Sequence, residues 1–469
     1  MKPNRVVCSV LAVLWTASVF CTAHVEAARP PNLVFILADD LGWTDLGCQG
    51  SRYYETPAID ALAAEGMRFT AYYNCQNCAP TRAALMSGQY APRTGIYTVA
   101  SGARGKEADR RMIPVDNVQK LPLDKVTVAE ALRRAGYRTG MFGKWHLGTD
   151  DRHHPSQRGF DEAIVANGRH FDFKPVPPEP VAANAYLADW LTDHAVDFIR
   201  RHREEPFFLY LPHFAVHSPL QAKADLIERF RNRPAAEGHN HAVYAAMIAS
   251  VDESVGRVMA CLESLGLADD TVLIFSSDNG GVGGYASPAF EGRKGTTDNW
   301  PLREGKGSLH EGGVRVPLLV RWPGHVKPGS RCDAPLIHVD LYPTLLALAG
   351  AEAPTGQPLD GASFAGLLTA NEHEMAKRPP IFWHFPGYLE SYIRENTWRT
   401  TPVSVIRDGD FKLMEFLEDG HLELYNLDED LSETTNLAAT LPDKRDELLG
   451  RLREWRVRLD APMPQPIRR

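Results

Sequence analysis

Five short apolar runs, each ending in polar or charged residues, constrain the fold of this chain more than any other feature. They are "NLVFILADD" (32–40), "YRTGMFGKWHLG" (137–148), "PFFLYLPHFAVHSP" (206–219), "TVLIFSSDNGG" (271–281) and "VRVPLLVRWPG" (314–324). Near-continuous apolar character, without polar alternation, is what a strand buried on both faces requires. Helical patterns lie between the runs. "VTVAEALRRAG" (126–136) is amphipathic and stops at Gly136, and "HAVYAAMIASVDESVGRVMACLESLG" (241–266) precedes the fourth run. Strands alternating with helices predict an α/β domain around a large, mostly parallel or mixed sheet sandwiched by helices. The five runs are expected to be its buried parallel strands. After a linker-like stretch beginning near 351, "SVIRDGDFKLMEF" and "HLELYNLD" predict antiparallel hairpin strands around the "EDG" turn at 418–420. A charged amphipathic helix over about 442–459 closes the chain. The expected organisation is therefore a main domain over 31–350 and a small C-terminal α+β subdomain over 351–469.

In open α/β sheets, ligands bind outside the carboxyl ends of the strands. Those ends carry Asp39 and Asp40, then Lys144 and His146, then His217, then Asp278 and Asn279. Either "ADD" or "SDNGG" alone is a common cap or turn. Two oxygen-rich ends on neighbouring strands make a hard cage of three carboxylates and an amide, suited to Ca2+ or Mg2+ rather than Zn2+. Ca2+ is the expected ion. Without a cation, three crowded carboxylates would repel until one protonated. Lys144, His146, His217 and Lys306, clustered beside a divalent ion, would clamp a tetrahedral anion and stabilise charge developing on it.

Compartment and composition narrow the function. Lys2 and Arg5 precede an apolar run of near 16 residues and the small residues of "VEAA", the layout of a secretory signal peptide over 1–27. The run is short for a spanning helix, so no stable membrane insertion is expected after cleavage. The predicted location is periplasmic or secreted. No Asn-x-Ser/Thr acceptor occurs in the chain, which favours a bacterial origin. A net charge of −8 gives no basic footprint for nucleic acid. Signal removal leaves Cys48, Cys75, Cys78, Cys261 and Cys332, an odd number in an oxidising compartment, which calls for a free or chemically special cysteine.

"CAPTRAALMSG" (78–88) resembles the signature of type I sulfatases, Cys-x-Pro-x-Arg followed by a helix. Only Cys78 meets the spacing, with Pro80 and Arg82; Cys75 would need Pro at 77, which is Asn. The likeness continues in order through "NLVFILADDLGWTDLGCQG", "GYRTGMFGKWHLG", "HSPLQA", "FSSDNGG", "REGKGSLHEGGVRVPLLVRWPG" and the C-terminal "IRDGDFKLMEF", from about residue 31 to beyond 440. It implies an alkaline-phosphatase/sulfatase-like fold and a sulfuric ester hydrolase. It also implies a maturation enzyme that oxidises Cys78 to formylglycine. Ca2+ would then be held by Asp39, Asp40, Asp278, Asn279 and residue 78. Arg82 would hold the formylglycine, and Lys144, His217 and Lys306 would bind sulfate oxygens. His217 or Lys306 would protonate the leaving alcohol, and His146 would act as base. A hydrated aldehyde suits this covalent chemistry, because one hydroxyl attacks sulfur and deprotonating the other then expels sulfate.

Thr81 departs from the commoner serine of the signature, and His310 stands where an aromatic is frequent, more simply a helix-face residue than a substrate contact. The substrate class expected for an exported member is a sulfated carbohydrate. Arg169, His170, Trp383, His384 and Tyr388 are pocket candidates by position, His384 first. The alternatives are a phosphonate or phosphate diester hydrolase of the same superfamily and a non-catalytic sulfoglycan-binding relative.

Overall fold

The computed structural model describes residues 29–283, 295–369, 378–390 and 398–467. The expected signal peptide lies outside them. Among the described residues no helix is long and apolar enough to cross a membrane.

Among the described residues the main sheet has nine strands. In spatial order they are Leu336–Ile337, Met67–Tyr73, Arg315–Arg321, Thr271–Ser277, Asn32–Ala38, Phe207–Pro212, Arg138–Gly143 and Glu162–Val165, with Ser330–Cys332 also pairing to Met67–Tyr73. The central strand Asn32–Ala38 runs parallel to both neighbours, in register from Leu33 opposite Phe208 and Val272. Its alternate side chains serve two cores. Val34, Ile36 and Ala38 face the helices Pro57–Glu65, Leu187–Arg201 and Ala242–Ser264, while Leu33, Phe35 and Leu37 face the helices Cys78–Ser87, Val128–Arg134 and Leu341–Ala349. Each fully buried Leu, Ile or Phe is worth about 1.5–3 kcal/mol, which explains the absence of polar alternation in these runs.

One expectation is corrected. Arg315–Arg321 is buried in the sheet but runs antiparallel to both its neighbours. An apolar run has the same pattern in either direction, and here the chain enters the sheet from the opposite edge. The reversal brings the start of this strand, and the loop before it, to the edge where the parallel strands end: Arg315 pairs with Tyr73, the last residue of its strand.

The C-terminal sheet is antiparallel, ordered Ile381–Phe385, Val403–Asp408, Phe411–Phe416, Leu422–Asn426. "SVIRDGDFKLMEF" is itself a hairpin, turning at Gly409 (φ 57°), and a second hairpin follows around 418–420. The helix Pro442–Arg458 lays Leu448, Leu452 and Trp455 onto this layer. The same cluster takes in Tyr73, Ala84, Leu309, Val314 and Val339, so the two sheets share a core. Residues of the linker-like stretch pack into the core of Leu33, Phe35 and Leu37 through Phe364, Leu367 and Leu368.

Candidate active site

Four adjacent strands of the sheet end at one place. Asp39 and Asp40 follow Asn32–Ala38, Asp278 and Asn279 follow Thr271–Ser277, His217 lies beyond Phe207–Pro212, and Lys144 and His146 follow Arg138–Gly143. Asp40 and His146 both adopt φ 65°, a left-handed conformation that costs a side chain with a Cβ about 1 kcal/mol or more. The helix Cys78–Ser87 starts at the same edge, with Cys78 in its first turn and Arg82 one turn later on the same face.

The groups converge. Among the described residues, ligand atoms of Asp39, Cys78 and Asp278 lie within 4.8 Å of one another, as do those of Asp39, Asp40 and His217. Arg82 is fully buried. Its Nε and one terminal nitrogen donate to Asp278 Oδ2 (3.1 and 2.7 Å), and the other donates to the Lys144 carbonyl (2.7 Å). Lys144 Nζ pairs with Asp39, and Lys306 Nζ lies 2.7 Å from Asp40. His217 Nε2 is 3.7 Å from Asp40 Oδ2, while its Nδ1 donates to the Ser218 carbonyl at 2.6 Å. A carbonyl can only accept, so that bond fixes the proton on Nδ1 and leaves Nε2 to the site.

Charge explains the titration of these groups. Burial would raise the Asp39 carboxyl, yet Lys144, His217, Arg82 and Lys306 hold it well below the carboxylate range. Burial and then the Asp39 charge push Asp278 up to about 7 against the pull of Arg82. Burial, with the Lys144 and Arg82 cations, pulls His146 down to about 3, so its ring is neutral at pH 7. The acids nevertheless keep capacity in reserve. Buried Asp39 Oδ1, Asn279 Oδ1 and His146 Nδ1 have no hydrogen-bond partner among the described residues. Unpartnered buried oxygens are costly and rare. Three carboxylates with two orphaned oxygens on adjacent turns fit a hard cation bound by oxygen.

The remaining candidates are placed otherwise. His384 is buried, with Nδ1 on Ser404 Oγ (2.8 Å) and Nε2 on the Pro462 carbonyl (2.9 Å), so neither nitrogen is left for a substrate. Trp383 Nε1 donates to the Asn74 carbonyl and Tyr388 OH to Glu418. Arg169 is exposed. His170 serves the site from behind, its Nε2 donating to the His217 carbonyl (2.8 Å) and its ring stacked on Phe214 at 4.9 Å. Phe214, which no motif marks, has the Lys144 ammonium over its face at 5.5 Å and the His217 ring at 5.0 Å. His310 is not a plain helix-face residue. It is buried between Glu304 (2.9 Å) and Glu423 (3.1 Å), and these carboxylates outweigh burial to raise it to about 9. Thr81 keeps the role a hydroxyl permits, its Oγ1 accepting from the Cys75 N–H at 2.9 Å. All five described cysteines are free, so Cys75 and Cys78 are not bonded to each other.

Known proteins resemble this chain in sequence and in fold. The sulfatase profile matches residues 31–351, and that of the N-sulphoglucosamine sulphohydrolase C-terminal region matches 305–457. A sulfatase of Formosa agariphila is 35% identical, the alignment spanning 93% of this chain and 90% of the relative. The N-acetylgalactosamine-6-sulfatase of Mus musculus is 34% identical over 76% of this chain and 69% of its own. The solved structure of Ps i-CgsB in complex with k-i-k-neocarrahexaose superposes with a TM-score of 0.76 at 31% identity, covering 91% of this chain and 93% of that one. With this fold, this cluster of buried acids and cations, and these relatives, the chain belongs to the sulfatase family and is a hydrolase of sulfate esters.

Proposed function

We propose that this protein is an exported sulfatase that removes sulfate from carbohydrates, using Ca2+ and a formylglycine formed from Cys78. The observation that carries the reading is the pairing of opposite needs at one strand edge. Orphaned oxygens of buried Asp39 and Asn279 stand beside two buried lysines, Lys144 paired with Asp39 and Lys306 with Asp40. Asp39, Asp40, Asp278, Asn279 and the residue 78 side chain would hold the Ca2+. Once bound, that ion would neutralise the carboxylates and polarise a sulfate oxygen. The formylglycine would supply a nucleophile that sheds sulfate without a second attack on sulfur.

The remaining steps fall to the chain's own side chains. Lys144 and Lys306, paired to Asp39 and Asp40, would grip the oxygens of a sulfate ester. As the imidazolium, with its Nδ1 proton committed to Ser218, His217 would hand the Nε2 proton to the leaving alcohol. His146 keeps a buried ring nitrogen, Nδ1, without a partner among the described residues, which would take a proton as base. Arg82, tied to Asp278 and the Lys144 carbonyl, would keep residue 78 aimed at the substrate.

A carbohydrate substrate is supported by the Mus musculus relative, an N-acetylgalactosamine-6-sulfatase, and by the oligosaccharide complex of Ps i-CgsB. Assay on a panel of position-defined sulfated sugars is expected to find one linkage strongly preferred. Uniform low activity across the panel would count against the carbohydrate reading. Faster turnover of matched phosphate or phosphonate esters would favour the diesterase alternative instead.

A further inference from the structure

Lys306 reaches the site on a loop, and the side chain that fastens this loop is an uncharged one. Asn299 is fully buried, and its Nδ2 lies 3.0 Å from the Gly281 carbonyl, 3.2 Å from that of Gly283 and 2.9 Å from that of Glu304. Two protons serve three acceptors, so at least one is shared. Two of the acceptors follow Asn279 in the acidic turn, and the third lies two residues before Lys306. The Gly281 carbonyl also accepts the Lys306 N–H at 3.0 Å. The two loops are therefore joined twice, once by backbone and once through Asn299.

The space around this carboxamide exists only because three neighbours lack a Cβ. A Cβ on Gly42 would come within 2.7 Å of Asn299 Oδ1 and one on Gly281 within 2.9 Å. One on Gly305 would come within 2.6 Å of Nδ2. Gly42 belongs to the turn that carries Asp39 and Asp40. Three loops that bring separate charged groups thus close around one amide. The two residues before Asn299 are held too, since the Asp298 carbonyl accepts from Thr44 Oγ1 at 3.0 Å and Thr297 Oγ1 donates to buried Asp45 at 2.6 Å.

We infer that Asn299 is a positioning residue for sulfate-ester hydrolysis, setting Lys306 against Asp40 and the Asn279 turn. The inference rests on the proposed role of Lys306 in gripping the sulfate. Removing the amide leaves three buried carbonyls without their shared donor and frees the Lys306 loop to drift. A misplacement of about 1 Å at a reacting centre costs on the order of 100-fold in rate.

A double-mutant cycle separates positioning from mere support. Asn299→Ala is expected to lower kcat/KM on a fixed sulfate ester by about 30- to 100-fold in the parent enzyme, and by less than about threefold in a Lys306→Ala background. The same factor in both backgrounds, or under about threefold in the parent, would overturn the inference. If Lys306→Ala alone leaves activity intact, the role proposed for Lys306 falls and this inference with it. Should Asn299→Ala fail to fold, Asn299→Asp preserves the size while exchanging the donor for an acceptor, and is judged by the same two factors.

Discussion

Two buried ionic clusters among the described residues are built on opposite plans. At the junction of the two sheets, Glu311 accepts from Tyr73 OH (2.8 Å) and Arg315 Nε (2.7 Å) and pairs with Lys412 (3.0 Å). Lys412 in turn pairs with Glu433 at 2.8 Å, and Glu433 Oε2 accepts the Glu311 N–H at 2.7 Å. Each Glu311 oxygen there faces a protein donor. At the strand edge, acids crowd together, Asp278 is forced up to about 7, and oxygens of Asp39 and Asn279 stay orphaned. The contrast teaches how to tell a buried charge that organises a fold from one that awaits a ligand. Complete pairing marks the first kind and reserved capacity marks the second.

Breaking the site cluster should have the largest effect. Asp39→Asn is expected to lower kcat/KM by about 10³-fold and to remove the rise in Tm that Ca2+ gives the parent, since ion binding stabilises only a protein that holds the ion. Retained activity with an intact Ca2+ response would place the ion elsewhere. Breaking the junction cluster should do the converse. Glu311→Gln leaves Lys412 and Arg315 undercompensated and is expected to cost about 3–5 kcal/mol in urea unfolding, while kcat per folded molecule stays within about threefold.

A pH scan sharpens the comparison further. His310 carries a folded value of about 9, above its ordinary one, because Glu304 and its neighbours outweigh burial. Its stabilisation is complete below the ordinary value of about 6.5 and is lost as pH rises through 9, a decline of about 3 kcal/mol. His310→Gln should flatten that decline, and an unchanged slope would assign it to other groups. The smallest effect is expected at His384. With both ring nitrogens committed to Ser404 and Pro462, His384→Gln should cost about 1–3 kcal/mol of stability and leave kcat/KM within about twofold. A large rise in KM would return it to the substrate pocket.

What was legible in the sequence is what local pattern encodes. Asp39, Asp40, Lys144 and Asp278 stand at the ends of apolar runs, and strand topology alone carries them to one edge. The direction of Arg315–Arg321 was not legible, because burial on both faces erases the distinction between parallel and antiparallel. Asn299 was invisible for another reason. Its acceptors lie 5 to 18 residues away and Gly42 comes from a distant strand end, and no spacing rule links them. His384 misled because "WHFPGY" places it in the small sheet beside the main domain, while its partners lie 20 and 78 residues further on. His310 was hidden likewise, since Glu423 reaches it from the C-terminal sheet.

The central claim concerns residue 78. The most direct measurement is the mass of the peptide containing it, taken from enzyme coexpressed with a maturation enzyme and active on a sulfate ester. The account predicts the aldehyde or its hydrate in place of the thiol, with activity rising in proportion to the converted fraction. An unmodified Cys78 thiol in fully active enzyme would contradict it.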